Sequence, residues 1–242
     1  MPRVFVPIPI EESTKITLTG EPAKYLNSVL RVRRGDTLVL FDPTGAHFEA
    51  DVKGVSRGKV DVRILSRLET AGEPGGGVIL AMGLLKGARM DMVIQKAVEL
   101  GVSAIVPLET RRAVVRETRK LERWQKIALE AARQCGRPVP PPIEEPRGLE
   151  PYFGGSDGLL KGVVFYEGEG LGPLKREDLP GTEGESFIVA VGPEGGFAPD
   201  EMELMTSKGL RARTLGSNIL RAETAAIVAV TLAQYLTGRL GS

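Results

Sequence analysis

The sequence predicts two domains of different class, a small β-barrel or sandwich over residues 1–70 and an α/β domain with a largely parallel sheet over residues 71–242. Three observations carry this expectation. Residues 1–68 hold short strand-like runs punctuated by Gly, Asp and Pro. The stretch "ETAGEPGGG" (69–77) has no hydrophobic periodicity and reads as a linker. After it, strand-like and helix-like segments alternate.

In the first part the strand-like runs are "RVFVPI" (3–8), "KITLTG" (15–20), "DTLVLFDP" (36–43), "HFEADVKGV" (47–55) and "GKVDVRILS" (58–66). One helix-like segment, "EPAKYLNSVLRV" (21–32), interrupts them. Beyond the linker, "GVILAMGLL" (77–85), "SAIVPLET" (103–110), "KGVVFYE" (161–167) and "SFIVAVG" (186–192) read as buried strands. Helices are expected over 88–101, 119–136 and 218–238. The first of these has Met92, Ile94, Val98 and Leu100 among its apolar positions, and Met90 and Met92 read as core filler. Trp124 stands at helical spacing from Leu121 and Ala128, which points to packing rather than base stacking. The last helix carries six consecutive apolar residues, 225–230, so it must be covered on more than one side. It is either central to its domain or part of a subunit contact.

Composition narrows the function classes. No apolar run approaches the length of a membrane span, and "MPRVFVPIPI" lacks the layout of a secretory leader. A single cysteine, Cys135, excludes an internal disulfide, and a single histidine, His47, argues against a Cys/His metal site. His47 reads as a strand residue without a catalytic task. The expectation is a cytoplasmic, metal-free protein. Net charge is +1, unevenly spread. Residues 86–147 hold 13 Lys and Arg against 8 Asp and Glu, whereas residues 148–242 hold 8 against 13. The basic excess includes Arg111, Arg112, Arg116 and Arg119 and extends to Arg133 and Arg137. It is either a strip facing phosphates or a solvated face, since Glu117, Glu122 and Glu130 lie among the cations.

Two glycine-containing loops draw attention to the C-terminal third. "VGPEGGFAPDE" (191–201) follows a strand, and Pro199 with Asp200 opens a helix. Ligands of open α/β sheets bind beyond the carboxyl ends of strands, where glycine permits close backbone approach. The spacing is neither G-x-G-x-x-G nor a phosphate loop, and Glu194 makes it a poor phosphate cradle. A neutral or cationic ligand fits better, and an ordinary turn is the alternative. "TLGSNILRAETAA" (214–226) again passes from a short strand through glycine into a helix, holding Arg221 and Glu223 at the start of an apolar segment. Charges there need partners or a ligand, and Thr224 is placed to serve the free amides of that first turn.

Together, "GPEGGF-x-x-x-E" and "LG-x-x-ILR-x-ETA" resemble the bacterial 16S ribosomal RNA uridine N3-methyltransferases (RsmE) of the SPOUT, or trefoil-knot, superfamily. "VLR-x-x-x-GD" (29–36), "QKAVELGVSAIVPL" (95–108) and "EAARQCGRPVPP" (130–141) extend the resemblance over both domains. It implies a PUA-like RNA-binding β-barrel followed by a trefoil-knotted α/β domain that binds S-adenosylmethionine and forms a homodimer. The substrate implied is 16S ribosomal RNA of the small ribosomal subunit, with no membrane and no metal. Carried over position by position, the loops around Gly192, Gly195, Gly196, Leu215, Gly216, Ser217, Ile219, Leu220 and Thr224 hold the cofactor. Phe165, Tyr166 and Glu167 close the pocket, Arg221 faces the target base, and Glu194 and Glu223 orient it or balance the sulfonium charge. RNA contacts fall on Arg3, Arg31, Arg33 and Arg34 in the barrel and on Arg111, Arg112 and Arg116 in the basic strip.

Three positions depart from the family pattern. Tyr25 replaces a usual histidine, Ala198 stands where Ser or Thr caps a helix, and Asn218 replaces a common basic residue. Glu201 still supplies half of a capping box. A chemical argument points the same way as the resemblance. Methylating C5 of a pyrimidine typically needs a cysteine to attack the ring, whereas N3 needs only loss of the imide proton. With Cys135 the sole thiol and no histidine placed to activate it, nitrogen is favoured. The rival expectations are a non-catalytic RNA-binding module and ribose 2′-O methylation.

Overall fold

The computed structural model describes residues 1–6, 8–11, 14–42, 46–68, 76–114, 120–137, 139–155, 158–168, 170–180 and 184–240, and of Arg3 only the backbone. Residues 69–75 of the expected linker, and Arg116 and Arg119 of the basic strip, lie outside the described residues. The chain divides into two compact units. One comprises Met1–Gly72 with Ala132–Pro140, the other Glu73–Ala131 with Pro141–Ser242.

The first unit is built on strands β1 (Arg3–Phe5), β2 (Lys15–Thr19), β3 (Thr37–Phe41), β4 (His47–Ser56) and β5 (Lys59–Leu68). They form a mixed sheet in the order β1-β3-β4-β5-β2, with β1 parallel to β3 and the other neighbours antiparallel. Alternation explains which face is inside. Along β5, Val60, Val62 and Ile64 are buried while Lys59, Asp61 and Arg63 are exposed. Register shifts between β4 and β5 mark bulges that coil the sheet around its core. Helix α1 (Gly20–Lys24) runs into a π-helical turn, Tyr25–Leu30, which buries Ala23 and Leu26 against that core. Arg31 ends it in the left-handed region at φ 51°. Arg133 also belongs to this unit, its guanidinium 4.7 Å from the centre of the Phe5 ring.

The second unit holds a six-stranded sheet of β6 (Gly77–Gly83), β7 (Ala104–Glu109), β8 (Arg147–Gly148), β9 (Gly162–Phe165), β10 (Ser186–Val191) and β11 (Arg211–Arg213). Their order is β11-β9-β10-β6-β7-β8, parallel throughout. The central strands are continuous apolar runs because both faces are covered. Helices α2 (Ala88–Glu99), α4 (Pro199–Ser207) and α5 (Ala222–Leu236) accompany the strands, as does α3 (Leu121–Cys135) up to Ala131, its last turn belonging to the first unit, and α5 packs against α2, β6 and β10. Gln234, a polar residue in that apolar helix, donates from Nε2 to the Leu100 and Gly101 carbonyls, both at 2.8 Å, closing the end of α2. Among the described residues no helix is long and apolar enough to cross a membrane.

Two expectations change. Met90 is core, but Met92 is 48% exposed. The buried stripe of α2 runs Met90, Val93, Ile94, Ala97, Val98, and Met92 lies two positions, about 200°, off Met90. The last helix begins at Ala222 rather than at residue 218, since Arg221 takes an extended ψ of 147° as its N-cap. Among the described residues nothing covers its outer face, where Leu232 is exposed and Tyr235 is 65% exposed. Trp124, by contrast, is packed at 2% exposure.

Candidate active site

Four parallel strands end in one row. Register pairs Met82 with Val191, Val191 with Phe165, and Phe165 with Arg213. The chain leaves β6 through α2 toward β7 on one side, and leaves β10 through α4 toward β11 on the other. Connections that part in this way open a crevice at the carboxyl ends of the two strands. A cleft of about 1200 Å³ lies there, lined by residues 165–168, 171, 173, 191–197, 214–223 and 225 together with Arg89 and Arg112.

The glycine loop is seated by absent side chains. A Cβ on Gly83 would meet Pro193 Cδ and N at 2.5 Å, so only glycine lets the loop lie on the end of β6. A Cβ on Gly195 would meet Arg112 Cβ and its carbonyl oxygen at 2.9 Å. Gly196 differs, turning at φ 68° with no atom within 4 Å of where a Cβ would lie. Beyond the loop, buried Glu201 joins two segments. Its Oε2 accepts from the Ala198 amide at 2.7 Å and its Oε1 from the Arg111 amide at 2.8 Å. The remaining half of the capping box therefore also fixes the turn after β7.

The second loop starts at Thr214, whose Oγ1 donates to the Gly216 carbonyl at 3.0 Å. Gly216 has φ 126° and, like Gly196, open space where a Cβ would lie. Ile219 is 80% exposed at the rim, and Arg221 is exposed beside it. Glu223 is 12% exposed in its side chain. Its Oε1 is 3.9 Å from Arg89 Nε, while its buried Oε2 has no hydrogen-bond partner among the described residues. Glu194 Oε1 accepts from Arg89 Nη1 at 3.0 Å and from the Lys86 amide at 3.3 Å. The two carboxylates thus converge on one guanidinium.

The third wall, 168–173, is tied to the sheet edge. The Tyr166 amide donates to the Arg213 carbonyl at 3.0 Å and the Thr214 amide to the Gly172 carbonyl at 3.1 Å. Farther along, the fully buried Asp178 carboxylate accepts from Arg213 Nε at 2.7 Å and Arg211 Nη1 at 3.3 Å, with a further bond from Arg213 Nη2. The Arg213 guanidinium, aided by the Lys175 amide at 2.9 Å, holds the Asp178 carboxyl down at about 2. The Arg-Ala-Arg of β11 is thus an edge strand whose two cations share one buried acid.

Of the residues singled out from sequence, Phe165, Tyr166 and Glu167, Gly192, Glu194, Gly195 and Gly196, Leu215 to Ser217, Ile219 to Arg221, and Glu223 line this one cleft. Thr224 does not line it, and its side chain caps nothing, because it lies in the exposed part of the first turn. The basic residues are dispersed. Arg31, Arg33 and Arg34 are exposed on one turn of the first unit, where the Arg33 amide donates to Asp36 Oδ2 at 2.7 Å. Arg111 pairs with Asp200 through both guanidinium nitrogens, at 3.1 and 2.8 Å. Arg112 lies on the glycine loop, its Nη1 3.4 Å from the Gly195 carbonyl. Arg116 and the Arg3 side chain lie outside the described residues. Sequence reasoning missed Arg89, Gly83, Leu171 and Pro173. Nothing in "KGARMD" signals a partner 105 residues away. No three His, Cys, Asp or Glu side chains cluster to hold a metal ion among the described residues.

Comparison with known proteins adds to this geometry. Residues 73–234 match the RNA methyltransferase domain family and residues 18–65 the RNA methyltransferase PUA domain. The chain is 32% identical to the ribosomal RNA small subunit methyltransferase E of Rickettsia conorii, covering 97% of this chain and 95% of that one. It is 35% identical to the protein of the same name from Synechocystis, over 94% and 75% of the two chains. A crystal structure of ribosomal RNA small subunit methyltransferase E from Neisseria gonorrhoeae, bound to S-adenosylmethionine, superposes with a TM-score of 0.80 at 31% identity, over 98% of each chain.

The Asp178 network yields a stability test. Its folded pKa is depressed from 3.8, so its contribution is complete well above 3.8 and is lost as pH falls toward about 2. Asp178→Asn should cost about 2–4 kcal/mol near neutral pH, by stranding Arg213 without its counter-charge. Urea unfolding of both proteins from pH 7 to 3 should show the gap narrowing by roughly 1 kcal/mol at the acid end. A gap independent of pH would place the cost elsewhere.

Proposed function

Because the chain belongs to the RNA methyltransferase family and carries that family's PUA domain, we propose that it transfers the methyl group of S-adenosylmethionine to N3 of one uridine in 16S ribosomal RNA of the small ribosomal subunit. The observation that carries the reading is the cleft formed where two glycine-bearing loops meet over the strand ends. Its chemistry fits this cofactor. Phe165, Leu215 and Leu220 offer apolar surface for an adenine ring. Gly196 and Gly216 leave backbone open to close approach, and Glu167 and Glu223 suit a ligand with two cationic centres. When bound, the cofactor supplies an electrophilic methyl on its sulfonium.

The chain's own work is positioning and charge stabilisation. Loss of the imide proton to water spreads negative charge onto the uracil carbonyl oxygens, and that charge is discharged as the N3–methyl bond forms and the sulfur–methyl bond breaks, leaving a neutral thioether. Arg221, exposed at the cleft beside Ile219, donates to one of those oxygens. Cys135 does not line the cleft, which favours nitrogen over carbon as the methyl acceptor. In the same proposal, residues 1–70 form the RNA-binding domain, presenting Arg3, Arg31, Arg33 and Arg34, and residues 71–242 the catalytic one, with Arg111, Arg112 and Arg116 toward RNA. The catalytic domain is a trefoil knot of the SPOUT kind, works as a homodimer and acts in the cytoplasm. The uncovered face of α5, with Leu232 and Tyr235, supports the dimer.

Nucleosides of 16S ribosomal RNA from cells with and without the protein, resolved by mass spectrometry, test the reaction. N3-methyluridine should depend on the protein. A ribose-methylated product would instead assign 2′-O transfer, and RNA binding without cofactor binding would assign a non-catalytic module.

Three variants probe the parts. Gly196→Val forces a β-branched residue to φ 68° and should weaken cofactor binding about tenfold or more by calorimetry, with the circular dichroism unchanged. Arg221→Ala should slow single-turnover transfer roughly 10²-fold, the scale of one lost oxyanion donor, while Cys135→Ala keeps most activity. Leu232→Glu should turn a dimer of 26.0 kDa chains into monomer by light scattering, and a wild-type monomer at micromolar concentration would sink the dimer.

A further inference from the structure

Arg89 stands where helix electrostatics do not favour it. It occupies the first turn of α2, and a cation there opposes the partial positive charge of the helix N-terminus. The helix gains nothing from it, and Met90, the next residue, already anchors α2 in the core. What the position does supply is reach. From the connection after β6, the guanidinium spans to Glu194 in the glycine loop at 3.0 Å and toward Glu223 in the first turn of α5 at 3.9 Å. Those carboxylates belong to opposite walls of the cleft, and no hydrogen bond or ion pair among the described residues joins the walls directly. Arg89 is half exposed, so the pairs contribute little to global stability. Their effect is geometric.

We propose that Arg89 is a positioning residue that sets the spacing of the two walls through Glu194 and Glu223. This rests on the reading of the cleft as an S-adenosylmethionine site. Arg89 hydrogen-bonds Glu194 and lies 3.9 Å from Glu223 Oε1, while Glu223 Oε2 is buried without a partner among the described residues and held ready for a donor group of the ligand.

The experiment titrates the full-length protein with S-adenosylmethionine, S-adenosylhomocysteine and 5′-methylthioadenosine, which lacks the amino-acid portion. Arg89→Ala should weaken all three alike, by about tenfold, because a misplaced wall harms every ligand. Arg89→Lys should recover only part of the affinity, since an ammonium cannot span both acids. In the ligand-free protein, amide exchange at 192–196 and 222–225 should quicken in Arg89→Ala. Adding Glu194→Gln to Arg89→Ala should cost no more than Arg89→Ala alone. If Arg89→Ala does not fold, Glu194→Gln alone carries the test and should weaken the three ligands alike. Sparing of 5′-methylthioadenosine would overturn the proposal, because Arg89 would then touch the ligand's carboxylate itself. Unchanged affinities, unchanged exchange or additive losses would overturn it equally. A wild-type protein that binds none of the three would remove the functional reading and this inference with it.

Discussion

The site depends on one constraint, the common ending of four parallel strands. Because Met82, Val191, Phe165 and Arg213 share a row, the loops that follow them must emerge side by side and in reach of one another. A one-residue slip of β10 against β6 would turn every side chain of that strand over and carry the glycine loop away from Arg89. The apolar cores of β6, β9 and β10 therefore do more than bury surface. They hold the register from which the cleft geometry follows.

Around that row, glycine serves two different ends. At Gly83 and Gly195 the missing Cβ is filled by protein, Pro193 in one case and Arg112 in the other. At Gly196 and Gly216 the space remains open. The same residue type thus packs the loop from beneath and leaves it accessible from above. Glu201 completes the arrangement by bonding two segments that a sheet alone would not join.

What was legible in the sequence follows from what a local pattern can encode. β6 and β10 announce themselves as unbroken apolar runs, and the turn chemistry of 191–201 and 214–226 marks both loops. β11 reads only as a short strand before the second loop, and its edge place is silent because Arg-Ala-Arg owes it to Asp178, 33 and 35 residues away. Arg89 is silent for the same reason, as charge partners at long range leave no periodicity. Met92 shows that an apolar residue within a helix need not be buried, since its angular position faces out. Arg111 and Arg112 counted as free cations in a charge tally, yet both are engaged with α4 or the glycine loop.

The Gln234 side chain has a consequence for the life history of the molecule. Its amide closes the end of a helix made more than a hundred residues earlier, and the wall from Thr214 to Ala225 is also drawn from the last tenth or so of the chain. Translation proceeds from the amino end, so the parallel sheet gains its edge strand β11 and the cleft its second wall only after β6, β9, β10 and the glycine loop have been made. A nascent chain still attached at residue 213 has strands, a glycine loop and basic side chains, but no cleft.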